Sequence, residues 1–242
     1  MRVGVYIDAF NLYYGMRDHC GRGTAGWRWL DIRSLTNDLA GWSGSTIERI
    51  VYCTAYVDPA DNQGAHRDQA LYIKALREHQ SIDVLQLGRY VAWPKNLPLA
   101  RKVGTGGAEV IQPTGFESWQ GLPISRVSGP NGGMFMATVR NREEKGSDVN
   151  VATHLLADVF RREVDAAIVV SNDSDLALPL SIARSVVPVG TVNPGTKQLA
   201  GALKGDRDDG PGRHWWRKLS AQDYRQHQLP NPVGRFFKPA GW

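Results

Sequence analysis

Two runs, Val3–Ile7 and Ala166–Val170 (the latter within a predicted strand Asp165–Ser171), are apolar at every position and carry no charge. A strand with one wet face alternates, so an unbroken apolar run marks a strand covered on both faces. That is the pattern of a parallel sheet held between two layers of helices. Neither run approaches the ~20 residues that a membrane-spanning helix needs. The alternating, β-branched segments Ile47–Tyr56 and Ile82–Tyr90 predict two further strands, and Met134–Asn141 and Val186–Val192 two more. Between them lie helical patterns. One starts at Asn11–Arg17, a second spans Leu30–Leu39 with Asp31 near its N-terminus, and a third spans Asp61–His79 with Ala70, Leu71, Ile73 and Leu76 at helical spacing. A fourth is expected to be capped by Ser147 and to bury Val149, Ala152, Leu155, Leu156, Val159 and Phe160. A fifth, Leu176–Ser185, tolerates Pro179 only near its first turn. Strands alternating with helices predict the α/β class: a three-layer fold with a mainly parallel central sheet and helices on both faces.

The domain plan follows from where this rhythm fails. Residues 1–200 form one domain, interrupted at about 94–133 by a segment in which eleven glycines and prolines fall between Gly104 and Gly133. A structureless loop of that length is uncommon, so a lid, a hairpin insertion or a mobile arm is expected there. Residues 201–242 read as a C-terminal extension with eight Lys and Arg against four Asp, whereas residues 1–200 hold 21 basic and 20 acidic side chains. The net charge of +5 therefore sits almost wholly in this tail, beside Trp215, Trp216, Phe236 and Phe237. Basic residues among aromatics suit phosphates and stacked bases, and equally suit a tail that packs its rings and solvates its charges. Cys20 and Cys53 supply neither a disulfide framework nor metal-ligand spacing, and the N-terminus lacks a signal-peptide pattern. A cytoplasmic protein with no membrane segment is expected.

In open α/β sheets ligands bind beyond the carboxyl ends of the strands, where strand order reverses. Asp8 follows the first apolar run, with Asn11 three residues on. Ser171-Asn172-Asp173-Ser174-Asp175 follows the other, and Glu144-Lys145-Gly146-Ser147-Asp148 opens the helix between them. Each acid alone reads as a helix cap or a first-turn residue favoured by the helix dipole. Caps do not account for the set, because Asp173 and Asp175 cannot both cap one helix. Carboxylates gathered within a few ångströms also raise one another's pKa unless a cation neutralises them. An all-oxygen site suits Mg²⁺ or Mn²⁺, which keep waters for chemistry. His66, His79 and His154 show no competing ligand spacing. Metal-assisted phosphodiester hydrolysis is the chemistry this pattern points to. Lys145 either meets a substrate phosphate or balances the cluster, and Arg140 and Arg142 join it as substrate-binding candidates. There is no P-loop, no Gly-x-Gly-x-x-Gly after the first strand and no Gly-x-Ser-x-Gly elbow, so no nucleotide cofactor is expected.

With these residues in view, the chain resembles an NYN domain, the branch of the PIN-like nucleases that includes the bacterial LabA-like proteins. The likeness rests on Val5-Tyr6-Ile7-Asp8-Ala9-Phe10-Asn11-Leu12-Tyr13-Tyr14-Gly15, on Glu144-Lys145-Gly146-Ser147-Asp148-Val149, and on Val169-Val170-Ser171-Asn172-Asp173-Ser174-Asp175-Leu176. The order and spacing of the three agree with the family, and the likeness covers about residues 1–195. Gln228-Leu229-Pro230 is similar to a short closing motif of some members. Ala9 stands where glycine is common, and Asn172 and Leu176 replace the glycine and phenylalanine of the third signature. Asn172 is expected to take the left-handed conformation that glycine would supply.

The resemblance implies a PIN-like fold and ribonuclease activity. It assigns Asp8, Asp148, Asp173 and Asp175 as catalytic acids binding Mg²⁺ or Mn²⁺, and Asn11 as the residue orienting a ligand or water. Glu144, Ser171 and Ser174 support them. The expected partner is RNA, in single-stranded form. A non-cleaving RNA-binding or regulatory module of the same fold is the alternative, and self-association into a homo-oligomer is left open.

Overall fold

The computed structural model describes residues 1–104, 107–112, 121–129 and 132–242. It divides into two units, Met1–Arg89 with Glu144–Trp242, and Tyr90–Glu143. The first is built on six parallel strands: β1 (Arg2–Asp8), β2 (Thr46–Thr54), β3 (Val84–Leu87), β9 (Ala166–Val170), β10 (Val189–Asn193) and β11 (Trp215–Lys218). Their order is β11-β10-β9-β1-β2-β3. From β1 the chain winds outward to β2 and β3, and from β9 outward the other way, so the order reverses between β1 and β9.

Both faces of the sheet are covered, as the apolar runs predict. Val3, Val5 and Ile7 of β1 and Ala166, Ile168 and Val170 of β9 enter one core. That core also takes Leu12 and Met16 of α1 (Ala9–Cys20), Leu35 of α2 (Ile32–Leu39) and Leu76 of α3 (Pro59–Glu78). Tyr6, Ala167 and Val169 point the other way. They meet Val151 and Leu155 of α4 (Ser147–Phe160) and Leu180 of α5 (Ala177–Arg184). This is the expected three-layer α/β arrangement.

Several local expectations change. Helix α3 is capped by Asp58 and kinks at Asn62, starting earlier than its apolar pattern indicates. Ser147 is not the cap of α4. Gly146 holds that position at φ 103°, and Ser147 is the first helical residue. Helix α4 buries Val151, Leu155, Asp158 and Val159 and leaves Val149 and Phe160 exposed, so its inner face is rotated from the expected one.

Residues 201–242 are part of the first unit rather than an appendix to it. They supply the edge strand β11, the turn of helix α6 (Gly201–Lys204) and α7 (Ala221–Gln226), which a reciprocal Ser220–Asp223 capping box starts. Tyr224, Leu229 and Val233 are buried in the core of α1 and α2. Gln228-Leu229-Pro230 lies along Trp27–Leu30, where Leu229 N–H donates to the Trp29 carbonyl and Trp29 Nε1–H to the Pro230 carbonyl, each at 2.9 Å or less. Among the described residues no helix is long and apolar enough to cross a membrane.

The second unit holds most of the glycine- and proline-rich segment. Strands β4 (Arg89–Pro98), β8 (Met134–Lys145) and β7 (Ile124–Val127) form a sheet in the order β4-β8-β7, and β5 (Ala100–Val103) pairs antiparallel with β6 (Gly107–Val110). Of the three expectations for this segment, its described part matches hairpin strands. Residues 105–106, 113–120 and 130–131 lie outside the described residues.

Candidate functional site

The β1/β9 switch point gathers the acids singled out by the sequence. Asp8, only 4% exposed, caps α1. Its Oδ1 accepts from Phe10 N–H at 3.1 Å and Asn11 N–H at 3.0 Å, and its Oδ2 accepts from Ser171 Oγ at 3.2 Å. Ser171 Oγ in turn accepts from Asp173 N–H at 3.1 Å. One buried hydroxyl thus fixes Asp8 and sets the turn that carries Asp173. Asn11 works across the same gap, its Oδ1 accepting from Asn172 N–H at 3.0 Å. Asp173 caps the short 3₁₀ turn Ser174–Leu176 by accepting from Asp175 N–H, which leaves Ser174 and Asp175 exposed.

Asn172 is not in the left-handed region; among the described residues the non-glycine positions with positive φ are Gln80, Arg162 and Arg213. Its amide instead ties the loop down, donating to the Gln198 carbonyl and accepting from Ala200 N–H. This loop is held by a side-chain bridge from Asn172 rather than by a left-handed residue.

On the other side of Asp8, Glu144 Oε1 accepts from Ser147 Oγ at 2.9 Å and from Ser147 N–H at 3.3 Å. The strand-to-helix junction is shaped by Gly88 as well. A Cβ there would lie 2.5 Å from Glu144 Oε1 and 2.7 Å from the Lys145 carbonyl, so only glycine lets the end of β3 approach.

Electrostatics show that these groups feel one another. Burial, joined by the negative charges of Asp8, Asp173, Glu144 and Asp175, pushes the Asp148 carboxyl up to about 6. Burial and Asp173 also raise Asp8, against the hydrogen bonds from Asn11, Ser171 and Phe10 that hold it down. No Lys or Arg among the described residues forms an ion pair with Asp8, Glu144, Asp148, Asp173 or Asp175. As the side chains stand, no group of three or more His, Cys, Asp or Glu among the described residues is drawn together tightly enough to hold an ion. The chemistry of the donor set still fits a hard divalent cation, because it is all carboxylate and its charges are uncompensated.

Cys53 lies beside this site, although its sequence spacing excludes only a disulfide framework and a metal-ligand motif and does not point to the acids. It pairs with Asp8 in the β1–β2 register, and burial with the charges of Asp8, Asp148 and Glu144 pushes its thiol up to about 12. The signal for it was its place at the end of a strand parallel to β1. Among the substrate-binding candidates, Lys145 is exposed at the start of α4's approach. Arg140 and Arg142 belong to the second unit, where the Arg142 guanidinium lies 4.4 Å from the Tyr90 ring centroid.

Fold and site define an α/β protein whose parallel sheet carries, at its switch point, carboxylates without a Lys or Arg ion pair among the described residues. No family model matches the chain. It is 29% identical over 258 residues to 6-hydroxy-3-succinoylpyridine 3-monooxygenase HspA of Pseudomonas putida (strain DSM 28022 / S16), covering 100% of this chain and 75% of that protein. A crystal structure of a protein of unknown function from Vibrio parahaemolyticus RIMD 2210633 is similar over 92% of this chain and 94% of its own, at 13% identity and a TM-score of 0.46. That likeness is too loose to carry further inference.

Proposed function

We propose that this protein is a metal-dependent phosphodiesterase of the NYN type that cleaves single-stranded RNA. The observation that carries the reading is the proximity of Asp8, Asp148, Asp173 and Asp175 with no Lys or Arg ion pair among the described residues, where burial and then the neighbouring acids push Asp148 up to about 6. Acids whose pKa is raised by burial and like charge gather preferentially at functional sites. The four aspartates would hold Mg²⁺ or Mn²⁺, which when bound lowers the pKa of a coordinated water and stabilises charge on the reacting phosphate. The chain's own contribution is preorganisation. Ser171 and the first turn of α1 lock the Asp8 carboxylate, Asn11 pins the Asn172 backbone, and Glu144 secures the first turn that carries Asp148.

The full-length similarity to a named enzyme supports reading this chain as an enzyme, and favours a second reading, a monooxygenase like that relative. The residues at β1 argue for hydrolysis over a dinucleotide-dependent reaction. A dinucleotide pyrophosphate would sit at the N-terminus of the first helix, and here the Asp8 carboxylate fills that place with negative charge.

Purified protein incubated with labelled single-stranded RNA is expected to cleave it with Mn²⁺ or Mg²⁺, and to stop with EDTA. Asp8→Asn should lower the rate by about a thousand-fold, the scale of losing a preorganised charge in the transition state. Oxygen uptake with 6-hydroxy-3-succinoylpyridine and a reductant, without RNA cleavage, would replace this reading with the second.

A further inference from the structure

Helix α1 leads directly out of the acidic cluster and carries rings and guanidinium groups on its outer side. Leu12, Gly15 and Met16 are buried, whereas Tyr13 and Tyr14 are 39% and 46% exposed. Tyr13 and Tyr14 meet edge-to-face with centroids 5.5 Å apart, and Tyr13 continues to Trp27 at 5.9 Å. A cation closes each end: Arg17 Cζ lies 4.6 Å from the Tyr14 centroid, and Arg28 Cζ 4.6 Å from that of Trp27. The result is an unbroken run of Arg17, Tyr14, Tyr13, Trp27 and Arg28. Asp18 is the acid paired along it, at 3.8 Å from Arg17 in an exposed setting.

Trp27 is fully buried and anchors the run in the core, whereas Tyr13 and Tyr14 stay partly open to solvent. Arg28 is anchored, its guanidinium donating to the Gly241 and Arg22 carbonyls, so the end of the run is fixed before any ligand arrives. Rings backed by guanidinium groups bind bases by stacking and phosphates by charge, and they do so with little sequence preference. A second copy of a chain carrying a net charge of +5 is a poorer match than a polyanion. Six residues separate Asp8 from Tyr14, about 9 Å along a helix axis, so one short strand can reach both.

We propose that the outer face of α1, Tyr13 and Tyr14 flanked by Arg17 and Arg28, is a stacking platform for the bases of a single-stranded nucleic acid. It takes its direction, toward the acidic cluster, from the phosphodiesterase reading on which that part rests. Its choice of ligand rests on the ring and guanidinium geometry alone.

Binding is measured by fluorescence anisotropy in EDTA, so that no strand is cut. The probes are labelled oligouridylate, oligodeoxythymidylate, an abasic ribose-phosphate of equal length, and duplex RNA. The wild type is expected to bind both base-bearing single strands more tightly than the abasic strand or the duplex. Tyr13→Ala with Tyr14→Ala should weaken oligouridylate binding by about 100-fold, down to the abasic level, at about ten-fold per lost ring. Tyr13→Phe with Tyr14→Phe should stay within about two-fold, because stacking needs the ring and not the hydroxyl. Both doubles should melt like the wild type by circular dichroism. Equal binding of abasic and base-bearing strands overturns the platform, as does an alanine double that binds like the wild type. An alanine double that loses only self-association overturns it in favour of a second copy. Metal-dependent cleavage with no effect of the alanines sinks the platform and spares the hydrolysis. Ring-dependent binding without cleavage in Mn²⁺ does the reverse.

Discussion

The two ends of the same parallel sheet treat carboxylates in opposite ways. At the amino ends of the strands Asp165, Asp83, Asp158 and Glu163 each pair with an arginine. Arg2 meets Asp165 at 2.9 Å just before β9, and Arg33 meets Asp83 at 2.6 Å just before β3. Arg49 on β2 bridges Asp158 at 3.0 Å and Glu163 at 3.3 Å. Asp158 is 1% exposed and also accepts from the Tyr6 hydroxyl at 2.9 Å. At the carboxyl ends, Asp8, Asp148, Asp173 and Asp175 lie near one another with no such partner among the described residues. The chemical consequence is a split in protonation. The hydrogen bonds and charge of Arg2 hold Asp165 below its ordinary value, while burial and neighbouring acids drive Asp148 up. Paired acids stabilise the fold. Unpaired acids at the switch point cost stability, and a cost kept in place points to use.

The sharpest way to break this contrast is to remove one acid from each end. Asp158→Ala leaves the Tyr6 hydroxyl and one arm of Arg49 without their buried acceptor. It should lower unfolding free energy in urea by about 3 kcal/mol, near the low end for breaking a buried pair because Glu163 still holds Arg49. Asp8→Asn, by contrast, should change stability by less than about 1 kcal/mol. Asparagine caps a helix as well as aspartate does, and the substitution relieves repulsion. Equal losses from both variants would mean that the two ends are alike, and that the switch-point acids are structural.

How much of this contrast the sequence could show differs between the ends. The carboxyl end was legible, because a parallel sheet places whatever follows an apolar run at one edge, and Asp8 and Asp173 sit within three residues of theirs. The amino end was not. Asp158 lies 109 residues from Arg49, and Arg2 lies 163 residues from Asp165, so nothing local announces either pair. Asp158 is also the one acid on the buried face of α4, where an apolar pattern passes over it in favour of Val149 and Phe160. Strand β11 escaped for another reason. Trp215–Lys218 is four residues long and flanked by charge, and it becomes a strand only because β10 offers it a parallel edge. Its close fit is visible at Gly190, where a Cβ would lie 2.2 Å from the Trp215 ring. The Glu144–Ser147 bond, too, depends on a left-handed Gly146 that places Ser147 inside the helix rather than at its cap.

A smaller effect sharpens the comparison by pH. The folded Asp148 carboxyl titrates near 6, against an ordinary value of 3.8 in the unfolded chain. Below about pH 4 it is protonated in both states and contributes nothing. Between these values the folded protein binds the extra proton, so stability falls as pH rises. Above about 6 the penalty is complete and constant. Because Asp148 is only half-buried, solvent screens the interaction, and the loss at neutral pH is about 1–2 kcal/mol. Asp148→Asn should therefore stabilise the metal-free protein by that amount in urea titrations at neutral pH, and by nothing near pH 4. Manganese added at neutral pH should narrow the gap by stabilising the wild type, since an ion that binds only the folded acids shifts unfolding by mass action. Asp165→Asn at the opposite end should show the reverse sense, losing stability at neutral pH and matching the wild type once the solution is acidic enough to protonate Asp165 in the fold. If both variants gave flat pH profiles, the acids at the switch point would not be repelling one another, and the argument for a cation among them would lose its physical ground.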